Sequence, residues 1–287
     1  MTDPTAHRLA VLGAGVMGTN IATMAIGHGM PVVLIDIDQD VLDRARDTIA
    51  NQLRHAQLMG ALPEGRRAGE VMTSLSVQDA ADATAVIEAI TEVPALKAKI
   101  QSEVMALIRP GTPLISNTSG IPIDEMAGEL DRPGELVGTH FMNPTYLIKM
   151  VEVIQGPRTG EATMEAVKSL LTALDRKPIV VRDAPGFVTS RLLHPMINDA
   201  ARVVGEGIAT VEAIDALMQG CLGHPTGPLR TADLIGIDNL ADALVVLSER
   251  TGNATYLPCE MLLSKVRDGD LGRKTGKGFY DYGKAIS

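Results

Sequence analysis

Arg8-Leu9-Ala10-Val11-Leu12-Gly13-Ala14-Gly15-Val16-Met17-Gly18 runs from a short apolar segment straight into three glycines spaced Gly-x-Gly-x-x-Gly. The apolar segment predicts a buried strand, and Met17, Ile21, Met24 and Ala25 recur behind it at helical spacing. A second apolar run, Pro31-Val32-Val33-Leu34-Ile35, ends on Asp36, eighteen residues after Gly18. This strand–turn–helix–strand context marks a dinucleotide-binding turn. Gly13 permits the tight turn, Gly15 lets backbone approach a pyrophosphate, and Gly18 lets the helix pack close. The helix opening at Val16 and Met17 presents N–H groups and a positive dipole end to that pyrophosphate. Asp36 is placed to bond both hydroxyls of a ribose and to repel a 2′-phosphate, which favours NAD over NADP. The bland alternative, a glycine-rich turn before an ordinary helix, leaves the acid at that spacing unexplained.

With 287 residues, the chain has room for one large domain or two modest ones. Aromatic residues make up only 2% and Trp is absent, so the core falls to Leu, Val, Ile, Ala and the 14 Met. A net charge of −9 argues against a general binder of nucleic acid or anionic membrane. Cys221 and Cys259 are too few for a disulfide framework and lack metal-ligand spacing, so no metal site is expected. The opening Met1-Thr2-Asp3-Pro4-Thr5-Ala6-His7 has no signal-peptide core, and no apolar run reaches membrane-spanning length. The expectation is a soluble, cytoplasmic protein in a reducing compartment.

From about residue 8 to 182, short apolar runs alternate with helical patterns. After the first two strands come 85–90, 113–116, 136–140, 149–154 and 178–181, with helices expected at Val41–Met59, Pro94–Ile108 and Glu161–Leu174. That alternation predicts an α/β fold with an N-terminal Rossmann-type domain over 1–183. Beyond Asp183-Ala184-Pro185-Gly186 the patterns are helical only, at about Ser190–Val204, Val211–Met218, Leu234–Arg250 and Pro258–Val266. An all-helical domain is expected over 184–287. Its many apolar positions in about 100 residues predict a homodimer that buries one of its faces.

Oxidation by a nicotinamide requires a group that takes the proton as hydride leaves. His140, in Gly138-Thr139-His140-Phe141-Met142-Asn143-Pro144, ends an expected parallel strand, where ligands of open α/β sheets bind. Histidine changes charge near neutral pH and serves as base or acid. In Lys149-Met150-Val151-Glu152-Val153-Ile154, Glu152 shares a face with Met150 and Ile154 by period-two alternation. A carboxylate among apolar side chains needs a partner, and a His–Glu pair would orient the imidazole and stabilise its charged form. An edge-strand Glu152 facing water is the alternative. Ser119, in the turn Ser116-Asn117-Thr118-Ser119-Gly120, either bonds the reacting oxygen or serves as a turn hydroxyl.

These motifs occur in order with Pro185-Gly186-Phe187-Val188, His224-Pro225-Thr226-Gly227-Pro228 and Leu271-Gly272-Arg273-Lys274-Thr275-Gly276-Lys277-Gly278-Phe279-Tyr280. Together they resemble the L-3-hydroxyacyl-CoA dehydrogenases over essentially the whole chain. The resemblance implies an NAD domain, a helical substrate and dimerisation domain, and oxidation of a 3-hydroxyacyl thioester to the 3-oxoacyl thioester. It assigns His140 as base, Glu152 as its paired acid, and Ser119 to the substrate hydroxyl and nicotinamide. It also assigns Asp36, Glu92, Lys97, Asn143 and Lys274 to the cofactor. Without it, Lys97 and Lys274 read as solvated surface charges.

Three positions depart from the family pattern. Ser190 stands where Asn is usual in Gly-Phe-x-x-Asn-Arg, either touching substrate or only capping the following helix. Gly120 replaces the second serine of Thr-Ser-Ser, and Gln52 and Met59 replace a serine and a lysine that face CoA in other members. These changes, with Asn143-Pro144-Thr145-Tyr146-Leu147-Ile148-Lys149, are similar to a branch of polyketide extender-unit pathways. That branch oxidises short polar groups, such as a glyceryl group, on acyl carrier protein. An acidic carrier would need a basic patch; Arg66-Arg67 reads more simply as a solvated loop. CoA and carrier protein both stay open, as does a short-chain 3-hydroxybutyryl-CoA dehydrogenase of fatty-acid metabolism. Two other classes compete with these. A dehydrogenase of the 3-hydroxyisobutyrate or 6-phosphogluconate type would use a lysine base. A non-catalytic NAD-binding structural protein would leave the His140–Glu152 pair without a purpose.

Overall fold

The computed structural model describes residues 6–283; of the opening Met1–His7, expected above to lack a signal-peptide core, residues 1–5 lie outside them. The chain divides into two compact units, Met1–Ala184 and Pro185–Ser287. The first holds an eight-stranded sheet with strands β1 (Leu9–Leu12), β2 (Val32–Ile35), β3 (Val71–Ser74), β4 (Ala85–Glu88), β5 (Leu114–Asn117), β6 (Leu136–His140), β7 (Met150–Gln155) and β8 (Lys177–Arg182). Their order is β3-β2-β1-β4-β5-β6-β7-β8. The helices are α1 (Val16–Gly27), α2 (Gln39–Leu58), α3 (Pro94–Leu107), α4 (Ile123–Ala127) and α5 (Glu161–Ala173).

All four residues of β1, β2 and β4 are buried, as expected of continuous apolar runs in a parallel sheet covered on both faces. Strand order reverses between β1 and β4, which opens the crevice where ligands bind in such sheets. Strand β3 escapes a sequence reading because Val-Met-Thr-Ser is neither apolar nor alternating and lies exposed at the edge. β6 pairs parallel with β5 but antiparallel with β7, and β8 follows β7 in parallel. The linker 141–149 is too short for a crossover helix, so the chain must turn back on itself. Helix α2 begins two residues before the expected Val41, because Asp38 caps it by accepting from the amides of Asp40 (2.8 Å) and Val41 (3.4 Å).

The second unit comprises α6 (Thr189–Gly205), α7 (Val211–Leu222), α8 (Pro228–Ile235), α9 (Ile237–Thr251) and α10 (Glu260–Asp268). Its core gathers Ile197, Leu229, Ile237, Leu240, Leu244 and Leu262. The single helix expected over Leu234–Arg250 is corrected to two: the chain breaks at Gly236, whose φ of 94° no helix accommodates. Two buried carboxylates lock the C-terminal segment to these helices. Asp233 accepts from the amides of Phe279 (2.8 Å) and Tyr280 (2.9 Å) and from the Tyr282 hydroxyl (3.0 Å). Asp215 accepts from the amides of Leu229 (2.9 Å) and Arg230 (3.0 Å) and from the Tyr280 hydroxyl (2.8 Å). Burial, and then the Asp215 carboxylate, push the Tyr280 hydroxyl far above its ordinary pKa. A Cβ at Gly278 would lie 2.0 Å from Asp233 Oδ1, so that motif glycine makes room for the carboxylate. No helix among the described residues is long and apolar enough to cross a membrane.

Candidate active site

The turn after β1 and the loop after β4 meet at the point where strand order reverses. A Cβ on Gly13 would fall 2.8 Å from the Ala89 carbonyl oxygen, and one on Gly18 would fall 1.8 Å from that of Gly13. Gly15 faces open space. It is the N-cap of α1, no side chain caps the helix, and its first turn holds no acid. The amides at that end are therefore available to an anion. Above them lies a cleft of about 660 Å³ lined by Gly13, Gly15, Asp36, Ile37, Ala89 and Thr91. Val16 is exposed, whereas Met17 packs against the core. Asp36 stands at the cleft, its Oδ2 accepting from the Ala14 amide at 2.7 Å and its Oδ1 from the Asp38 amide at 3.2 Å. Each carboxylate oxygen keeps capacity for a further donor such as a ribose hydroxyl. Glycine turn, uncapped helix and acid together fit a dinucleotide.

His140 closes β6, and its register partner across the antiparallel pair is Glu152 on β7. His140 Nδ1 and Glu152 Oε2 are 3.1 Å apart, with 12% and 5% of the side chains exposed. Glu152 also pairs with Ile179 of β8, so its strand is internal and the edge-strand alternative fails. Its expected apolar surroundings hold on one side only: Ile154 is buried, whereas Met150 is 52% exposed.

Ser119 is exposed in the turn after β5, where Glu92 Oε1 accepts from its amide (2.9 Å), from its hydroxyl (3.5 Å) and from the Thr118 hydroxyl. Asn117 Oδ1 accepts from the Phe141 amide at 3.2 Å, tying the ends of β5 and β6 together. Asn143 is exposed in the loop that follows. That loop is secured from below: the Thr145 hydroxyl donates to the Asn20 carbonyl (2.7 Å), and buried Arg176 donates to the carbonyls of Thr145 (2.9 Å) and Ile148 (3.1 Å).

Lys97 requires a correction. Neither a surface charge nor directly open to a cofactor, it is wholly buried and donates to Glu88 and to the Asn117 carbonyl, with Glu92 in ion-pair range. Lys274 belongs to the helical unit, half-exposed and bonded to Asp238 at 2.5 Å. Ser190 is buried in the first turn of α6; the N-cap is Val188 and no side chain caps that end, so a capping role does not hold. Gln52 is occupied with the Thr23 hydroxyl at 2.7 Å, and Met59 is exposed. Sequence reasoning missed Glu88, Gln101 and Arg176. Glu88 had a signal, an acid inside the otherwise apolar run 85–90, whereas Gln101 and Arg176 are ordinary polar residues in their segments. Both cysteines are free, and no metal-binding cluster occurs among the described residues.

Residues 8–184 match the family described as 3-hydroxyacyl-CoA dehydrogenase, NAD binding domain, and residues 186–282 match 3-hydroxyacyl-CoA dehydrogenase, C-terminal domain. The chain is 39% identical over 277 residues to a probable 3-hydroxybutyryl-CoA dehydrogenase of Deinococcus radiodurans, covering 96% of this chain and 100% of that protein. It is 38% identical over 283 residues to a probable 3-hydroxybutyryl-CoA dehydrogenase of Bacillus subtilis, covering 98% and 99%. The crystal structure of (S)-3-hydroxybutyryl-CoA dehydrogenase from Ralstonia eutropha superposes with a TM-score of 0.90 at 37% identity, covering 97% of this chain and 99% of that one.

Proposed function

The chain belongs to the 3-hydroxyacyl-CoA dehydrogenase family, an NAD-dependent group acting on CH–OH, and we propose that it oxidises short 3-hydroxyacyl groups on coenzyme A. The names of its relatives make 3-hydroxybutyryl-CoA the first substrate to test. The observation that carries the assignment of roles is the His140–Glu152 pair at the C-terminal end of β6. Bound NAD supplies the hydride acceptor. With Nδ1 donating to Glu152, the lone pair of the neutral His140 ring lies on Nε2. Nε2 takes the hydroxyl proton while the C3–H bond gives up its electron pair as hydride and the carbonyl forms. The imidazolium is stabilised by the adjacent carboxylate and then releases the proton to solvent. Ser119, its amide held by Glu92, offers its hydroxyl to the reacting oxygen.

A carrier-protein thioester is the second reading, favoured by Gln52 and Met59, neither of which supplies a cation for a nucleotide phosphate. The names of the relatives favour CoA. The deciding experiment follows NADH formation with one short 3-hydroxyacyl group attached to CoA, to a pantetheine fragment and to acyl carrier protein. The highest kcat/KM is expected with CoA; a clear advantage for the carrier form would replace the CoA reading. We also assign homodimer formation to the helical unit, where Leu192 (70%), Leu222 (66%) and Leu217 (58%) lie exposed. Sedimentation equilibrium at micromolar concentration is expected to give twice the chain mass, and a monomer would refute it.

A further inference from the structure

Beneath the Ser119 turn lies a charged cluster that proton and hydride transfer do not use. Glu88, wholly buried at the end of β4, accepts from the Ile90 amide (2.9 Å), Lys97 Nζ (2.7 Å), Gln101 Nε2 (2.9 Å) and the Ser116 hydroxyl (2.7 Å). A carboxylate deprived of water is tolerated only when its lone pairs are used in this way. Lys97, wholly buried as well, has three donors and meets three acceptors: Glu88 Oε1, Glu92 Oε2 at 3.2 Å and the Asn117 carbonyl at 3.3 Å. Two branches leave its ammonium. Through Glu92, it reaches the Thr118 hydroxyl and the Ser119 amide. Through Asn117, whose side chain receives the Phe141 amide, it reaches the residue that follows His140.

We propose that Glu88 and Lys97 are positioning residues: one buried ammonium, fixed by Glu88, holds the Ser119 turn and the His140 strand end in a common frame. The proposal rests on the roles assigned above to His140 and Ser119. The chemistry of the cluster favours a fixed geometry over a proton carrier. Glu88 is fully engaged, and Lys97 donates in three directions that no rotation of the ammonium reproduces with fewer partners. Glu92 is the member that meets solvent, with 38% of its side chain exposed, against 0% for Glu88 and Lys97. The rigid part of the cluster thus lies below the turn and its adjustable part at the surface of the site. Small misplacements of reacting groups slow chemistry by up to about a hundredfold without loosening ground-state binding in proportion.

The test uses Glu88→Gln, Lys97→Met and the double variant in the full-length protein. Three quantities are read: kcat on the best 3-hydroxyacyl thioester, the Kd for NADH by fluorescence titration, and the backbone amide resonances of Ser119 and Phe141. Each single variant is expected to lose roughly ten- to a hundredfold in kcat. NADH affinity should stay within about threefold, because the side chains of Glu88 and Lys97 are both wholly buried. Both amide resonances should shift in both variants, and the double variant should lose less than the product of the singles. A lowered melting temperature with kcat and both resonances unchanged would make the cluster merely structural. A weakened NADH affinity at constant kcat would restore Lys97 as a cofactor contact. Either result overturns the proposal. If Lys97→Met does not fold, Glu88→Gln, which keeps the side chain's shape, carries the same readouts. The amide resonances need no substrate, so an inactive wild type would count against the functional reading and leave the coupling to be decided by them.

Discussion

His140 and Glu152 stand opposite each other in the one antiparallel step between β6 and β7, Nδ1 to Oε2 at 3.1 Å. Because they are register partners, the ring is oriented by the sheet itself and not by a flexible loop. His140→Gln should lower kcat by roughly 10²–10⁴-fold with NADH binding retained. Glu152→Gln should slow turnover less, since the amide keeps a polar partner and loses only the charge opposite the imidazolium. Steady-state kinetics with parallel NADH titration check both, and near-normal kcat in His140→Gln would move the base elsewhere.

Asp36 holds a negative charge against the glycine turn. Asp36→Ala should erode the preference for NAD over NADP by removing both the ribose acceptor and the repulsion of a 2′-phosphate. The ratio of kcat/KM for the two cofactors measures this. Equal efficiency in the wild type would refute the assignment.

His28 is buried, with Nδ1 bonded to the Met24 carbonyl at 2.8 Å and Nε2 facing Arg176 at 3.4 Å. Burial, and secondarily the Arg176 charge, hold its pKa below the ordinary 6.5, against the opposing effect of the Met24 bond. The unfolded chain therefore binds more protons than the folded one as pH falls below 6.5. This contribution to stability is fully present above that pH and is lost as pH drops toward the lower folded value. Urea midpoints between pH 8 and pH 5 should fall more steeply in the wild type than in His28→Gln. Identical slopes would show that His28 does not contribute.

Asp233 satisfies two backbone amides and a tyrosine hydroxyl in the helical unit. Asp233→Asn turns an N–H group toward those donors, and each buried group left unpaired costs about 1–3 kcal/mol. Calorimetry should show a melting temperature lower by at least about 4 °C. An unchanged transition would mean that the C-terminal segment is held by its apolar contacts alone.

Most of the candidate site's geometry was legible because its residues stand at strand ends. The glycine turn, Asp36, the β6 terminus and Glu152 all fall at positions that hydrophobic periodicity locates. The split at Gly236 was not legible, because apolar spacing continues across it and only the backbone conformation interrupts the helix. Strand β3 was missed because an exposed edge strand needs no apolar pattern. The placement of Lys97 was beyond periodicity too. A lysine in a helix of mixed composition, with Lys99 two residues on, reads as a surface charge, and only Glu88, Glu92 and Asn117, brought together from β4, its following loop and β5, give the Lys97 ammonium a buried place.

By itself, the sequence determined where the chain would form buried strands and helices, that a dinucleotide turn opens it, and which residue types stand at the strand ends. Those properties are local, set by side-chain period and by the glycines a turn requires. Only the tertiary structure decided that β7 runs back against β6, making His140 and Glu152 partners in register. It alone also converted scattered polar residues into two buried clusters, Glu88–Lys97 in the sheet unit and Asp215–Asp233 in the helical one. A desolvated charge is stable only where distant segments deliver its partners together, and no stretch of sequence carries that information alone.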